Sequence, residues 1–339
     1  MTTQPPVQPT PAGRGAAGAP GAPDAPATAA VPDSPVATPT GSTLSGATPP
    51  GGTDPRGARR RRLRDVDGGT VTLYVGLALI ALHLILALAA PLLTPYDPTA
   101  SAPDDALYGP SGEHWLGTDQ YGRDVLARTL YGGRYALMVA FLATTVTVVL
   151  GSFLGILTAY LGGWFDMVLM RLVDAVLSVP SILSLLVVVT VFGNGVPVIV
   201  LAVTVVYTPA VTRVVRGAAM SVVPLDFVTA ARARGESALS VVFREILPSV
   251  PGVILVEYAM RASWVVLLIS TLSFLGFGAN PPTPDWGLMI SEGRMAMTVV
   301  PWAVIAPIVA LATLVIGLSS AADGLSGRLG VDRLTRGVA

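Results

Sequence analysis

The sequence predicts an all-α integral membrane protein of about six transmembrane helices, with a structured cytoplasmic loop between the fourth and fifth spans. Three observations predict this. Of the 339 residues, 52% are hydrophobic and only 12% are charged, about half the charge of an ordinary soluble domain. The apolar residues gather into runs of roughly eighteen or more, the length a helix needs to cross hydrocarbon. The arginines fall mainly in the connections expected on one side, the asymmetry that fixes orientation. Helices are the natural form for such runs, because lipid satisfies no backbone polar group and each span must pair its own.

Residues 1–55 are mostly Pro, Ala, Gly, Thr and Ser. They bury too little apolar surface to offset their conformational entropy, so this tail is expected to be disordered, with a recognition tail as the functional alternative. It lacks the basic start and short apolar core of a secretory signal. A basic juxtamembrane segment, 56–70, carries Arg56, Arg59, Arg60, Arg61, Arg62 and Arg64. Beside a span such a cluster fixes topology rather than binding nucleic acid, with anionic membrane lipids as a secondary contact.

The first transmembrane helix is expected at 71–93 and an extracytoplasmic segment at 94–135, ending in an amphipathic helix around Asp124–Tyr131. A core at 136–320 then holds spans near Leu137–Leu161, Leu172–Val191, Val196–Val215, Val250–Phe274 and Pro301–Leu318, before a cytoplasmic C-terminal tail at 321–339. The arginines support this layout. Arg171, Arg213, Arg216, Arg232, Arg234, Arg244, Arg328, Arg333 and Arg336 fall in the segments expected inside. Arg123, Arg128, Arg134 and Arg294 fall in those expected outside. Both termini are thereby placed in the cytoplasm. In and after the second span Gly151, Gly155, Ala159 and Gly163 recur every four residues. This small-residue ridge serves close helix packing, either within the chain or against another subunit.

The loop 224–251 reads as two short helices folded about a glycine, a stiff knob on the end of the bundle. Pro224 suits a first helical turn. Ala230 and Ala231 would let a partner's backbone approach. Gly235 fits a left-handed helix end and Ser237 the next cap. Leu247-Pro248 would stop the second helix.

Charges within spans are few. Glu257 and Arg261 lie four apart on one face of the fifth span, where they can pair; a structural ion pair and a substrate contact both remain open. Arg171 and Asp174 read as a topology and interface pair, His83 as a packed or interface histidine. His114 and the dispersed Asp97, Asp104, Asp105 and Glu113 do not make a metal site. In the loop from Gly276 to Trp302, Asp285, Trp286 and Trp302 are either interfacial anchors or elements of a gate or docking surface.

At the knob the chain resembles a known family. Thr229-Ala230-Ala231, then Gly235, eleven residues, and Leu247-Pro248 are similar to the Glu-Ala-Ala, Gly, Leu-Pro loop of permease subunits from binding-protein-dependent ABC importers. Several further stretches resemble the C-type permease of dipeptide and oligopeptide (and nickel) importers. These are His114-Trp115-Leu116-Gly117-Thr118-Asp119-Gln120-Tyr121-Gly122-Arg123-Asp124, and Ala159-Tyr160-Leu161-Gly162-Gly163 with Asp166, Met170-Arg171, Asp174 and Pro180. They continue with Leu272-Ser273-Phe274-Leu275-Gly276-Phe277-Gly278, Pro281-Pro282-Thr283-Pro284-Asp285-Trp286-Gly287, Pro301-Trp302 and Asp323-Gly324-Leu325. The chain departs from the pattern at Thr229, usually Glu, and at Glu245, often His. It departs again at Ile269, usually acidic, and across Leu318–Gly324.

The resemblance implies a permease subunit in a bacterial cytoplasmic (plasma) membrane. With a second, B-type permease it would form a pathway for di- or oligopeptides delivered by an extracytoplasmic binding protein. Two separate ATPase subunits would hold ATP and Mg2+ and contact the loop through Pro224, Asp226, Thr229, Ala230, Ala231, Gly235, Leu247 and Pro248. Nickel, glutathione-like compounds or another small solute remain open as cargo.

Composition bears on the competing classes. The chain has no Lys, and a phosphate-binding P-loop needs one, so no cofactor is expected in this chain and ATP must be bound elsewhere. The absence of Cys excludes disulfides and thiolate metal sites. No nucleophile–base–acid constellation lies in the spans, so an enzyme is not expected. A secondary transporter should show broken helices or repeat halves with an intramembrane ion site, and no internal repeat is seen.

Overall fold

The structure, a computed structural model, describes the backbone of residues 55–330 and the side chains of residues 69–330. The expected disordered tail up to residue 54, the side chains of Arg56 to Arg64, and Arg333 and Arg336 lie outside the described residues.

The described residues are mostly helical. Helix α1 runs Pro55–Leu93, so the basic segment and the first span are one continuous helix. Then follow α2 (Val125–Leu161), α3 (Gly163–Leu177), α4 (Ser181–Phe192), α5 (Val196–Val222), α6 (Asp226–Ala233) and α7 (Ala238–Val241). Helices α8 (Pro251–Phe274), α9 (Trp286–Gly293) and α10 (Trp302–Leu329) complete the chain. Gly69–Leu93 of α1, together with α2, α5, α8 and α10, are each long and apolar enough to cross a membrane.

The third span, expected at Leu172–Val191, is not a single rod. Helices α3 and α4 together pass the same test but are bent by 85°. Pro180 causes the break: it lacks an N–H to donate and pushes Val179 away from helical geometry. Helix α2 is longer than expected, because Asp124 caps it by accepting the N–H of Ala127 at 2.6 Å. At 1.5 Å per residue its 37 residues extend about 55 Å, well beyond the hydrocarbon thickness. The amphipathic turn after Asp124 is therefore the first part of the helix that forms the second span, not a separate element.

Glycine sets how closely the helices approach. Helices α2 and α5 meet at Gly151 and Gly155. A Cβ on Gly151 would lie 2.6 Å from the Val211 Cβ, and one on Gly155 would lie 2.7 Å from the Thr212 carbonyl oxygen. These two glycines of the expected ridge thus pack within the chain. Gly163 does not share that role, since it has φ +55 and a Cβ there would meet nothing. A second seam joins α1 to α10, where Gly324 admits the Leu73 backbone and Gly76 admits Ala321. His83 bridges the same seam, with its ring nitrogens 2.8 Å from the Leu79 carbonyl oxygen and 3.0 Å from that of Ala310. In lipid such contacts hold helices by van der Waals packing, since apolar burial gives little drive there.

Buried side chains form two main clusters. One, around Val139, Leu185, Ile199, Val203, Val265 and Leu272, joins α2, α4, α5 and α8 and reaches Trp286. The other, around Ile156, Val211, Val215, Val228, Val241 and Ile246, welds the knob to α2 and α5.

Gly155→Val is expected to force α2 and α5 apart and to destabilise the protein by about 1–3 kcal/mol, as overpacking does. Gly217→Ala, where a Cβ meets nothing within 4 Å, should be neutral by comparison. Thermal unfolding of the detergent-solubilised variants checks both.

Candidate functional site

The knob begins where α5 ends at Val222. The Leu225 N–H donates to the Val222 carbonyl, closing a turn that contains Pro224. Pro224 therefore precedes the helix instead of lying in its first turn, because an extended Leu225 (φ −71, ψ 151) redirects the chain before α6 starts. Asp226 opens α6 and Arg232 lies in its last turn, the arrangement that suits the helix dipole.

Helix α6 has two faces. Val228 and Ala231 are buried in the cluster around Ile156, Val211 and Val215, while Asp226, Phe227, Thr229 and Ala230 are exposed. Ala231 therefore does not thin the outer surface for a partner, as the paired alanines suggested. Its small side chain lets α6 lie close on its own bundle, and Ala230 alone faces out. The Thr229 hydroxyl turns back to donate to the Leu225 carbonyl at 3.4 Å.

Gly235 closes α6 with φ +78. Its N–H donates to the Arg232 carbonyl at 3.0 Å, and the Glu236 N–H donates to that of Ala231 at 3.3 Å. These two bonds make a Schellman ending, which leaves few end carbonyls free. Ser237 then caps α7 by accepting the Ser240 N–H at 3.3 Å. The second helix is a composite: one α turn, a π segment over Val242–Ile246, and a 3-10 turn over Leu247–Ser249. Pro248 accounts for the change, because it cannot donate an α-type bond and its ring crowds the preceding turn. Leu247 is half-buried and Pro248 exposed, immediately before α8.

Side chains brace this elbow. Arg232 donates to the Tyr160 carbonyl at 3.2 Å and lies 4.3 Å over the Tyr160 ring, tying α6 to the end of α2. Arg234 donates to Glu236 at 2.7 Å, and Ser240 donates to the same carboxylate at 3.1 Å. Together they hold the Glu236 carboxyl below its ordinary range. Glu245 stands 3.9 Å from Arg234. Phe243 stacks on Phe153 of α2 at 5.9 Å.

Further charges tie the broken span to α5. Arg216 meets Asp166 through two bonds, at 2.5 and 2.6 Å, the bidentate form that fixes orientation. Asp174 pairs with Arg213, not with Arg171. Helix α5 lies beside α3 and supplies the cation, while Arg171 is exposed. In α8 the Arg261 Nε donates to Glu257 at 2.9 Å, and the Glu257 carboxylate is buried.

At the far end of the bundle Asp285 caps α9 by accepting the Leu288 N–H, and it also accepts the Ser273 hydroxyl at 2.9 Å. Burial pushes its carboxyl above the ordinary range. The Trp286 indole donates to the Thr129 carbonyl at 2.8 Å. Asp285 and Trp286 are both buried and so present no surface to a solute in this structure. They cap and anchor α9, because a polar atom taken from water must find a partner. Trp302 is partly exposed and borders a cavity of about 420 Å3 between α1 and α10.

A buried ionic cluster nearby escaped the sequence reading. Arg123 donates to Asp119 and to Glu292, each at 2.7 Å. Arg128 reaches the same Glu292 at 3.3 Å and the Pro98 carbonyl at 3.2 Å. It joins the loop after α1 to α2 and α9. The i,i+4 spacing of Asp119 and Arg123 was its one local signal. His114 pairs with Asp124 at 2.9 Å beside this cluster. Among the described residues no three His, Asp or Glu side chains are grouped to hold a metal ion.

Comparison with known proteins gives concordant findings. A family profile described as "Binding-protein-dependent transport system inner membrane component" matches residues 147–331, a stretch that includes the knob, α3–α4 and α8. The chain is 36% identical over 255 residues to the dipeptide transport system permease protein DppC of Alkalihalophilus pseudofirmus, covering 75% of this chain and 84% of that one. It is also 36% identical over 251 residues to the glutathione transport system permease protein GsiD of Pectobacterium atrosepticum, covering 74% and 83%. The GsiD of Shigella dysenteriae matches to the same extent.

Arg128 also lies 3.4 Å from Asp119, so Glu292→Gln would leave Asp119 as the one carboxylate that Arg123 and Arg128 share. Breaking a buried ion pair typically costs about 3–5 kcal/mol. Hydrogen exchange across residues 95–124 should therefore accelerate in this variant while α5 stays protected.

Proposed function

We propose a mechanism from the premise that this chain belongs to the family of binding-protein-dependent transport system inner-membrane components. It is a permease subunit of an ABC importer of the peptide-transporting type, embedded in the membrane through its apolar helices. In our reading its cargo is a di- or oligopeptide, or a peptide-like solute such as glutathione, handed over by an extracytoplasmic binding protein. A second permease completes the pathway. Two ATPase subunits bind ATP and Mg2+, since this chain has no Lys with which to build a P-loop. The knob faces the cytoplasm, and so do both termini.

The observation that carries this reading is the stiffness of the elbow. Its exposed face, Asp226, Phe227, Thr229 and Ala230, would lie in a groove of an ATPase. Its buried face, Val228 and Ala231, is fused to the cluster around Ile156, Val211 and Val215. Helix α5 enters the elbow and α8 leaves it directly, while Arg232 couples it to α2 through Tyr160. A push on α6 during ATPase closure therefore moves three long helices together. A loop without a Schellman ending, an Asn/Ser-type cap and a packed face would absorb that displacement.

Gly235 separates the coupling role from mere stability. A Cβ there meets nothing within 4 Å, so only the left-handed backbone resists substitution. Such a conformation costs a non-glycine residue about 1–2 kcal/mol, least for Asn. Gly235→Val should reach the membrane in normal amount yet lose ATP-driven peptide uptake in the reconstituted complex, whereas Gly235→Asn should retain it. Wild-type uptake and normal ATPase co-purification by the valine variant would overturn the coupling role. Uptake by the isolated chain in liposomes without ATPases would favour a secondary transporter instead.

A further inference from the structure

A cavity of about 310 Å3 opens at the break between α3 and α4. It is lined by Pro180, Ser181 and Ser184 of the broken pair, Val206 and Tyr207 of α5, and Arg261 of α8. A guanidinium inside a membrane-spanning helix is costly and is retained where it meets a partner or a water-filled path. Arg261 has a protein partner on one edge only. Its Nε donates to Glu257 at 2.9 Å, and the guanidinium lies 5.9 Å from the Tyr207 ring centre. Its two Nη nitrogens donate to no described residue.

The geometry of that free edge selects its ligand. Two N–H donors side by side match the two oxygens of a carboxylate, a fit that a point charge such as lysine does not reproduce. Glu257 neutralises the guanidinium, so an arriving carboxylate gains directional hydrogen bonds without being trapped by a full unpaired charge. Hydroxyl groups of Ser181, Ser184 and Tyr207 border the same space. Helix α4 also begins here without a side-chain cap, so the positive end of its dipole adds to the field.

We infer that this cavity is a transit site for the carboxylate of the transported solute, with Arg261 as the recognition fork and Glu257 as its positioning residue. The inference rests on the permease reading and deepens it: the cargo is a carboxylate-bearing peptide or peptide-like compound, not a free metal cation.

The test uses the complete importer, with partner permease, ATPases and binding protein, in proteoliposomes. Uptake of a labelled dipeptide is compared with uptake of its C-terminal amide, each at saturating binding protein. Arg261→Lys keeps the charge and loses the fork. The ratio of free-acid to amide uptake should fall about tenfold, the scale of one charge-assisted hydrogen bond. The double variant Glu257→Gln/Arg261→Gln should lower the ratio further. An unchanged ratio in Arg261→Lys, or an equal fall for both compounds, overturns the inference and makes the pair structural. Loss of the second permease from the purified Arg261→Lys complex also overturns it, by assigning the guanidinium to a subunit contact. Absence of ATP-dependent uptake by the wild-type complex is a different failure, since it removes the permease reading itself.

Discussion

Backbone contact between α2 and α5 at Gly151 and Gly155 is the constraint on which the other packing depends. Where lipid surrounds a helix, burying another leucine gains little, and adhesion comes from atoms in close contact. Two residues without side chains let a pair of long helices touch along their backbones. That seam then sets where each end of the pair lies. At one end it brings Tyr160 under Arg232, and at the other it projects Arg128 into the ionic cluster beyond the apolar stretch. The broken span is referenced to the same pair, since Asp166 and Asp174 of α3 both bond arginines of α5.

The elbow inherits its rigidity from this frame. A short helix in isolation is marginal, because nucleation costs more than a few hydrogen bonds return. Helix α6 persists because Val228 and Ala231 are packed and because its ending at Gly235 satisfies its last carbonyls. A π segment precedes Pro248. It keeps the chain helical through a proline and passes the backbone into α8 with only a 3-10 turn between them.

Charge is scarce in this chain and its placement divides the molecule by task. Bidentate and buried pairs such as Arg216–Asp166 and Arg123–Glu292 fix one element against another. Exposed pairs on the elbow, such as Arg234–Glu236, add little stability in water but orient the loop. Glu257 and Arg261 belong to neither group. They meet within one helix, so their pairing holds no second element in place, and the guanidinium borders a cavity.

The helical membrane architecture, the positions of most spans, the glycine at the turn of the elbow and the family resemblance were legible in the sequence. All rest on local properties: run length, residue size, backbone freedom and the order of short motifs. Tertiary structure alone decided that Pro180 breaks the third span into two helices, that Asp174 pairs with Arg213, and that Ala231 faces inward while Ala230 faces out. It also decided that Asp285 and Trp286 are buried anchors and that Arg123, Arg128, Asp119 and Glu292 meet. Partners separated by tens to hundreds of residues leave no periodic trace along a chain. Their contacts follow from how helices of fixed length lie against one another once glycine has set the distance between them.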